Sequence, residues 1–121
     1  MKLKDDFYHI VAMEQGEEQC RCKVRMNPRH FIYKVHFPNF PVTPGVCMVQ
    51  MASEILAEFF KRQFILDTAV NIKFRERMGP DEEATFVFSK IVFDDDRLSV
   101  SVSVENDKAQ YVKMSMRYQV R

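Results

Sequence analysis

Thr43-Pro44-Gly45-Val46-Cys47-Met48-Val49-Gln50-Met51-Ala52-Ser53-Glu54-Ile55-Leu56 is the stretch whose reading decides the fold. Thr43 has the side chain of an N-cap, and Pro44 suits the first helical position, where its missing N–H has no intrahelical partner to lose. The pattern predicts a helix from Pro44 to about Gln63. Val46, Cys47, Met48, Val49, Met51, Ala52, Ile55 and Leu56 make its first half apolar nearly all round. Such a helix is enclosed rather than laid on a surface.

Outward from this helix, both flanks switch to period two, the spacing of half-buried strands. Upstream, Phe7 to Met13 reads as a strand. Gln19 to Met26 alternates cleanly, with Cys20, Cys22, Val24 and Met26 on one face and Arg21, Lys23 and Arg25 on the other. Asn27-Pro28 ends it, because Pro has no N–H for a ladder. Downstream, Val70, Ile72 and Phe74 alternate with Asn71, Lys73 and Arg75. Phe86 and Phe88 lie in a strand that continues to about Phe93, and Asp94-Asp95-Asp96 marks a turn. Leu98, Val100, Val102 and Val104 alternate with serines, and Glu105-Asn106-Asp107-Lys108 marks a second hairpin. Val112, Met114, Met116, Tyr118 and Val120 close the series. The predicted order is two strands, one long helix, then four strands in a meander. That is an α+β pattern, an antiparallel sheet of about six strands wrapped around one long central helix, the layout of a hot-dog fold. An open sheet edge and helix end invite dimerisation.

The 121 residues fit one domain, 1–121, with no linker or repeat. Lys and Arg number 18 against 17 Asp and Glu, a net charge of +1 that argues against a nucleic-acid binder. No apolar run approaches the roughly 20 residues of a membrane span. Met1 to Asp6 carries no apolar stretch behind its lysines, so no secretory signal is expected. Three cysteines cannot all pair, and Cys20 and Cys22 share one face of one strand. Free thiols, a reducing compartment and hence the cytoplasm are the expectation.

The chemistry concentrates in the loop that enters the helix, His36-Phe37-Pro38-Asn39-Phe40-Pro41-Val42-Thr43-Pro44-Gly45, stiffened by its prolines. With Pro44 opening the helix, the N–H groups of Gly45 and Val46 have no intrahelical acceptor. Backed by the helix dipole, they suit a carbonyl oxygen that gains negative charge. Alternatively, Thr43 caps one of them and water takes the other. His9 and His30 have no partner at ligand spacing, and Cys20-Arg21-Cys22 is not the spacing of a zinc site, so no metal or cofactor is expected. Cys47 reads as a small core residue. Gln50, Glu54, Glu58 and Lys61 form one polar stripe, with Glu58 placed to pair with Arg62.

His36-Phe37-Pro38 followed by Pro41-Val42-Thr43-Pro44-Gly45-Val46 resembles the signature of the 3-hydroxyacyl-acyl-carrier-protein dehydratases. Lys73-Phe74-Arg75 before Gly79-Pro80-Asp81 is a weaker similarity, with the order of the turn altered. The resemblance implies a hot-dog fold and a lyase that eliminates water from a 3-hydroxyacyl thioester. His36 would remove the C2 proton, and Gly45 and Val46 would polarise the thioester carbonyl. It also implies substrate contacts by Phe37, Gly45 and Val46. The implied partner is an acyl carrier protein bearing the acyl thioester, in fatty-acid or related lipid biosynthesis. In the family the site forms at a dimer interface, which implies a homodimer, an oligomer of dimers, or a heterodimer with a paralogue.

This chain departs from the family at two positions. Where the family places its acid, Gln50 stands, and a carboxamide has no proton to give. Glu54 follows one turn later, where the family often has Gln, so the pair looks exchanged. Glu54 is then either the catalytic acid or a member of the polar stripe. Val35 replaces the family's usual Gly before the His, and narrows the backbone there. Lys61, Arg62, Arg75 and Arg77 are solvated positions or contacts for an acidic carrier. Two other functions stay open: an acyl thioesterase in which Glu54 activates water, and a non-catalytic or half-site subunit that pairs with a second hot-dog chain.

Overall fold

The computed structural model describes residues 2–35 and 39–121. Its elements run β1 (Tyr8–Gln15), β2 (Gln19–Met26), α1 (Ile32–Val35), α2 (Gly45–Phe60), β3 (Phe64–Phe74), β4 (Glu83–Asp94), β5 (Arg97–Glu105) and β6 (Gln110–Val120). The six strands make one antiparallel sheet in the order β1-β2-β4-β5-β6-β3. Cys20, Cys22, Val24 and Met26 of β2 are buried, as are Leu98, Val100, Val102 and Val104 of β5. They form one core with Met48, Met51, Ala52, Ile55 and Leu56 of α2. The alternation named this face correctly because a strand cannot slip by one residue without turning its whole apolar set to water.

The expected four-strand meander is corrected. Only β4, β5 and β6 form one; β3 crosses to pair with β6, Phe64 opposite Val120 and Phe74 opposite Val112. β2 takes the remaining edge of β4. Period two says which face a strand buries and nothing about which neighbour it takes. β3 also starts earlier than its pattern suggested, at Phe64, because register shifts after Leu66 and after Val70 break the alternation, with Asn71 at φ 52°. β1 runs from Tyr8 to Gln15 rather than Phe7 to Met13.

The helix stops at Phe60, short of Gln63. Lys61 turns left-handed at φ 55° and donates its N–H to the Ala57 carbonyl at 2.9 Å. Phe60 then meets Phe64 and Phe93 edge-on, with ring centroids 6.1 and 5.2 Å away. Nor is the helix buried on every apolar side: Val46 is 72% exposed and Val49 half-buried. The short α1 was not anticipated. His30, buried beneath it, accepts the Ile32 N–H at Nδ1 (3.2 Å), so its Nε2 carries the proton donated to Asp6 Oδ2 at 3.2 Å. No helix among the described residues is long and apolar enough to cross a membrane.

Candidate active site

The expected cap is corrected by one residue. Pro44 (φ −64°, ψ 140°) occupies the N-cap position and Gly45 is the first helical residue. Thr43 is committed elsewhere: its N–H donates to the Met78 carbonyl at 2.7 Å and its Oγ1 lies 2.9 Å from the Tyr33 hydroxyl. Pro44 O accepts from Cys47 N and Met48 N at 3.1 and 3.2 Å. The N–H groups of Gly45 and Val46 find no acceptor among the described residues. The Pro44-Gly45 turn therefore leaves two backbone donors at the positive end of a 16-residue helix.

Phe74, at the end of β3, lies so close over Gly45 that a Cβ there would overlap its ring. A cavity of about 220 Å³ opens beside it, lined by Pro44, Gly45, Met48, Phe74 and Arg77 among others. Phe74 is itself 59% exposed, and the charged side chains of the lining are Glu76 and Arg77. His36 and Phe37 lie outside the described residues.

One turn into the helix, Gln50 donates from Nε2 to Glu54 Oε2 at 2.8 Å. Glu54 also accepts the backbone N–H of Leu3 (2.8 Å, Oε2) and of Lys4 (2.8 Å, Oε1), and the Tyr8 hydroxyl (3.0 Å, Oε1). Four donors therefore converge on this one carboxylate. Burial pushes the Tyr8 hydroxyl well above its ordinary range, and the Glu54 charge raises it further, so it stays a donor. The polar stripe read from the sequence is thus a set of anchors for the N-terminal segment. Glu58 continues it, pairing with Lys4 at 2.6 Å and not with Arg62. Nothing in the sequence pointed to the backbone donors of Leu3 and Lys4. Tyr8 was legible only as a member of the first strand.

Cys20, Cys22 and Cys47 are free and buried. Burial raises all three thiols, that of Cys22 to about 12, with the Glu58 charge contributing. Among the described residues no three His, Cys, Asp or Glu side chains stand where they could hold a metal ion.

A single curved antiparallel sheet closed on one long helix is the hot-dog fold, and the solved structures it resembles share it. The chain is similar to the dehydratase heterocomplex ApeI:P from Xenorhabdus doucetiae, at 13% identity over 92% of this chain and 96% of that one, with a TM-score of 0.76. It is also similar to a Streptococcus mutans protein solved with acetyl-CoA bound (13% identity, 97% and 90% covered, TM-score 0.67). A third is a thioesterase from Haemophilus influenzae (14% identity, 94% and 78% covered, TM-score 0.64). No curated protein matches the sequence. Residues 12–119 match the ApeI-like family, described as ApeI dehydratase, and the chain belongs to that family.

Proposed function

We propose that this protein binds 3-hydroxyacyl thioesters delivered by an acyl carrier protein and takes part in their dehydration. The observation that carries the reading is the pair of uncommitted N–H groups at Gly45 and Val46, directly behind the Pro-rich loop that begins at His36. A thioester carbonyl that accepts both would have its C2 proton acidified. His36 would take that proton as the C3–O bond breaks, and the hydroxyl would leave as water once protonated. Phe37 belongs to the same substrate-binding loop. Arg77 in the cavity lining, with Arg75 two residues before it in the chain, would suit the acidic surface and phosphate arm of a carrier.

The proton for the leaving hydroxyl is the open term. Position 50 holds a carboxamide, and Glu54 would have to shed several of its four donors before it could serve. The reading we favour is therefore a half-site: this chain supplies His36 and the oxyanion donors, and the acid comes from a second hot-dog chain in a cytoplasmic dimer. A thioesterase in which Glu54 activates water asks the same carboxylate to leave the same partners, and stands second.

The test is a dehydration assay on a short 3-hydroxyacyl carrier thioester, with this chain alone and with a co-purified hot-dog partner. Turnover is expected to depend on the partner and to vanish in His36→Ala while the fold persists. Wild-type rates in His36→Ala, or thiol release without dehydration, would overturn the reading.

A further inference from the structure

His30 has no partner at ligand spacing in the sequence, yet the fold commits both nitrogens of its ring. The side chain is 5% exposed, with the Phe31 ring stacked on it at 4.7 Å and the Phe7 ring edge-on at 5.1 Å. Nδ1 accepts the N–H of Ile32, the first residue of α1, and Nε2 donates to Asp6. The neutral ring alone can do both. A second proton sits on Nδ1, where it faces a backbone donor, so the charged ring keeps Asp6 and loses Ile32.

What α1 holds gives that loss a consequence. Tyr33 stacks on Phe7 at 5.4 Å, its N–H donates to the His30 carbonyl, and its hydroxyl lies 2.9 Å from Thr43 Oγ1. Thr43 directly precedes the Pro44-Gly45 turn with its two uncommitted N–H groups. A line of contacts thus runs from Asp6 through His30 and Tyr33 to the start of α2. Asp6 is the charged side chain paired with the ring among the described residues. Burial pushes the Tyr33 hydroxyl up to about 12, so it keeps its proton where a histidine changes charge. A second pair, His9 with Asp5 at 3.7 Å, belongs to the same stretch of chain and is exposed.

We propose that His30 is a positioning residue for the entrance to α2: as neutral imidazole it pins α1 to the N-terminal segment, and a second proton on the ring releases α1 together with its hold on Thr43. The pin is present at neutral pH and is lost as pH falls. The inference stands apart from the substrate class proposed above, because every contact in it belongs to this chain.

The test is amide exchange followed by NMR on the full chain at about pH 7.5 and about pH 5, across the range in which histidine changes charge. Protection is corrected for the intrinsic effect of pH on exchange. At the lower pH, protection of Ile32 and Tyr33 is expected to fall by at least about tenfold, the effect of leaving one donor without its acceptor, while the amides of β5 keep theirs. The Thr43 N–H, held by the Met78 carbonyl, should lose protection with them. His30→Asn puts a carboxamide oxygen where Nδ1 stands, an acceptor at either pH, so protection should persist there. His9→Asn should behave as wild type. Equal protection of wild type at the two pH values overturns the inference, as does a loss that persists in His30→Asn or disappears in His9→Asn. Loss at Ile32 with Thr43 unmoved overturns the link to α2. Should His30→Asn not fold, wild type decides: the His30 ring and the Ile32 amide must titrate with one midpoint, and separate midpoints overturn the inference.

Discussion

At the scale of single residues, the exchange between positions 50 and 54 has a measurable consequence. Gln50→Glu would place a second carboxylate at the 2.8 Å contact with Glu54. Two such groups resist ionising together and hold one proton between them, which makes a general acid near neutral pH. Dehydration by this chain alone should rise by at least about tenfold, a floor set below the roughly 10²–10⁴ that acid catalysis contributes. A steady-state assay decides it, and no gain in a folded variant counts against position 50 as the acid's place. The three thiols give a second expectation. All have raised pKa values from burial, so native protein at about pH 8 should resist iodoacetamide at Cys20, Cys22 and Cys47 and react fully once unfolded. Intact-mass measurement reads this directly. The uncommitted N–H groups of Gly45 and Val46 were legible because a helix that opens on Pro-Gly leaves N–H groups over by counting alone. The partners of Glu54 were not, since two of them are backbone amides some fifty positions away and carry no side-chain signature.

At the scale of elements, clean alternation marked β2, β5 and β6, and bulges hid the first half of β3. The sequence of the N-terminal segment was read only for the apolar stretch it does not carry. The segment is fastened to α2 by Glu54 and by the Lys4–Glu58 pair. That pair holds Glu58 below its ordinary 4.5 and Lys4 above its ordinary 10.5. The depressed carboxyl contributes stability above 4.5 that is lost as pH falls through its folded pKa. The raised ammonium contributes below 10.5, and that part is lost as pH rises through its own folded value. Both side chains are partly exposed, 23% and 32%, and solvent screens the pair, so the effect is at most about 1 kcal/mol. Lys4→Ala should lower stability by up to that much near pH 7 and by progressively less as pH falls below 4.5 toward 3. Denaturant melts of both proteins at the two pH values check it, and an equal loss at both would remove the ion pair as the cause.

At the scale of the whole molecule, the open side of the helix start is the feature that most affects behaviour in solution. Val46, Phe74, Phe31, Val35 and Phe40 are each more than half exposed, on and around the loop that enters α2. β1 and β3 leave two sheet edges unpaired. Apolar surface of this kind beside a cavity is seldom left to water. We expect a dimer at micromolar concentration, and a monodisperse monomer by light scattering would also remove the shared site. The helix inside a sheet was legible from composition and period; the strand order was not, because pairing partners distant in sequence leave no local trace. That order also bears on how the protein comes off the ribosome. β3 is translated well before β6, yet among the described residues β6 is its one neighbour in the sheet. Until the last strand emerges, Phe64, Leu66 and Val70 have no ladder to join, and one flank of the central helix stays uncovered. A nascent chain stalled after β5 would be a target for holdase chaperones, and loss of the final strand would unseat two strands at once.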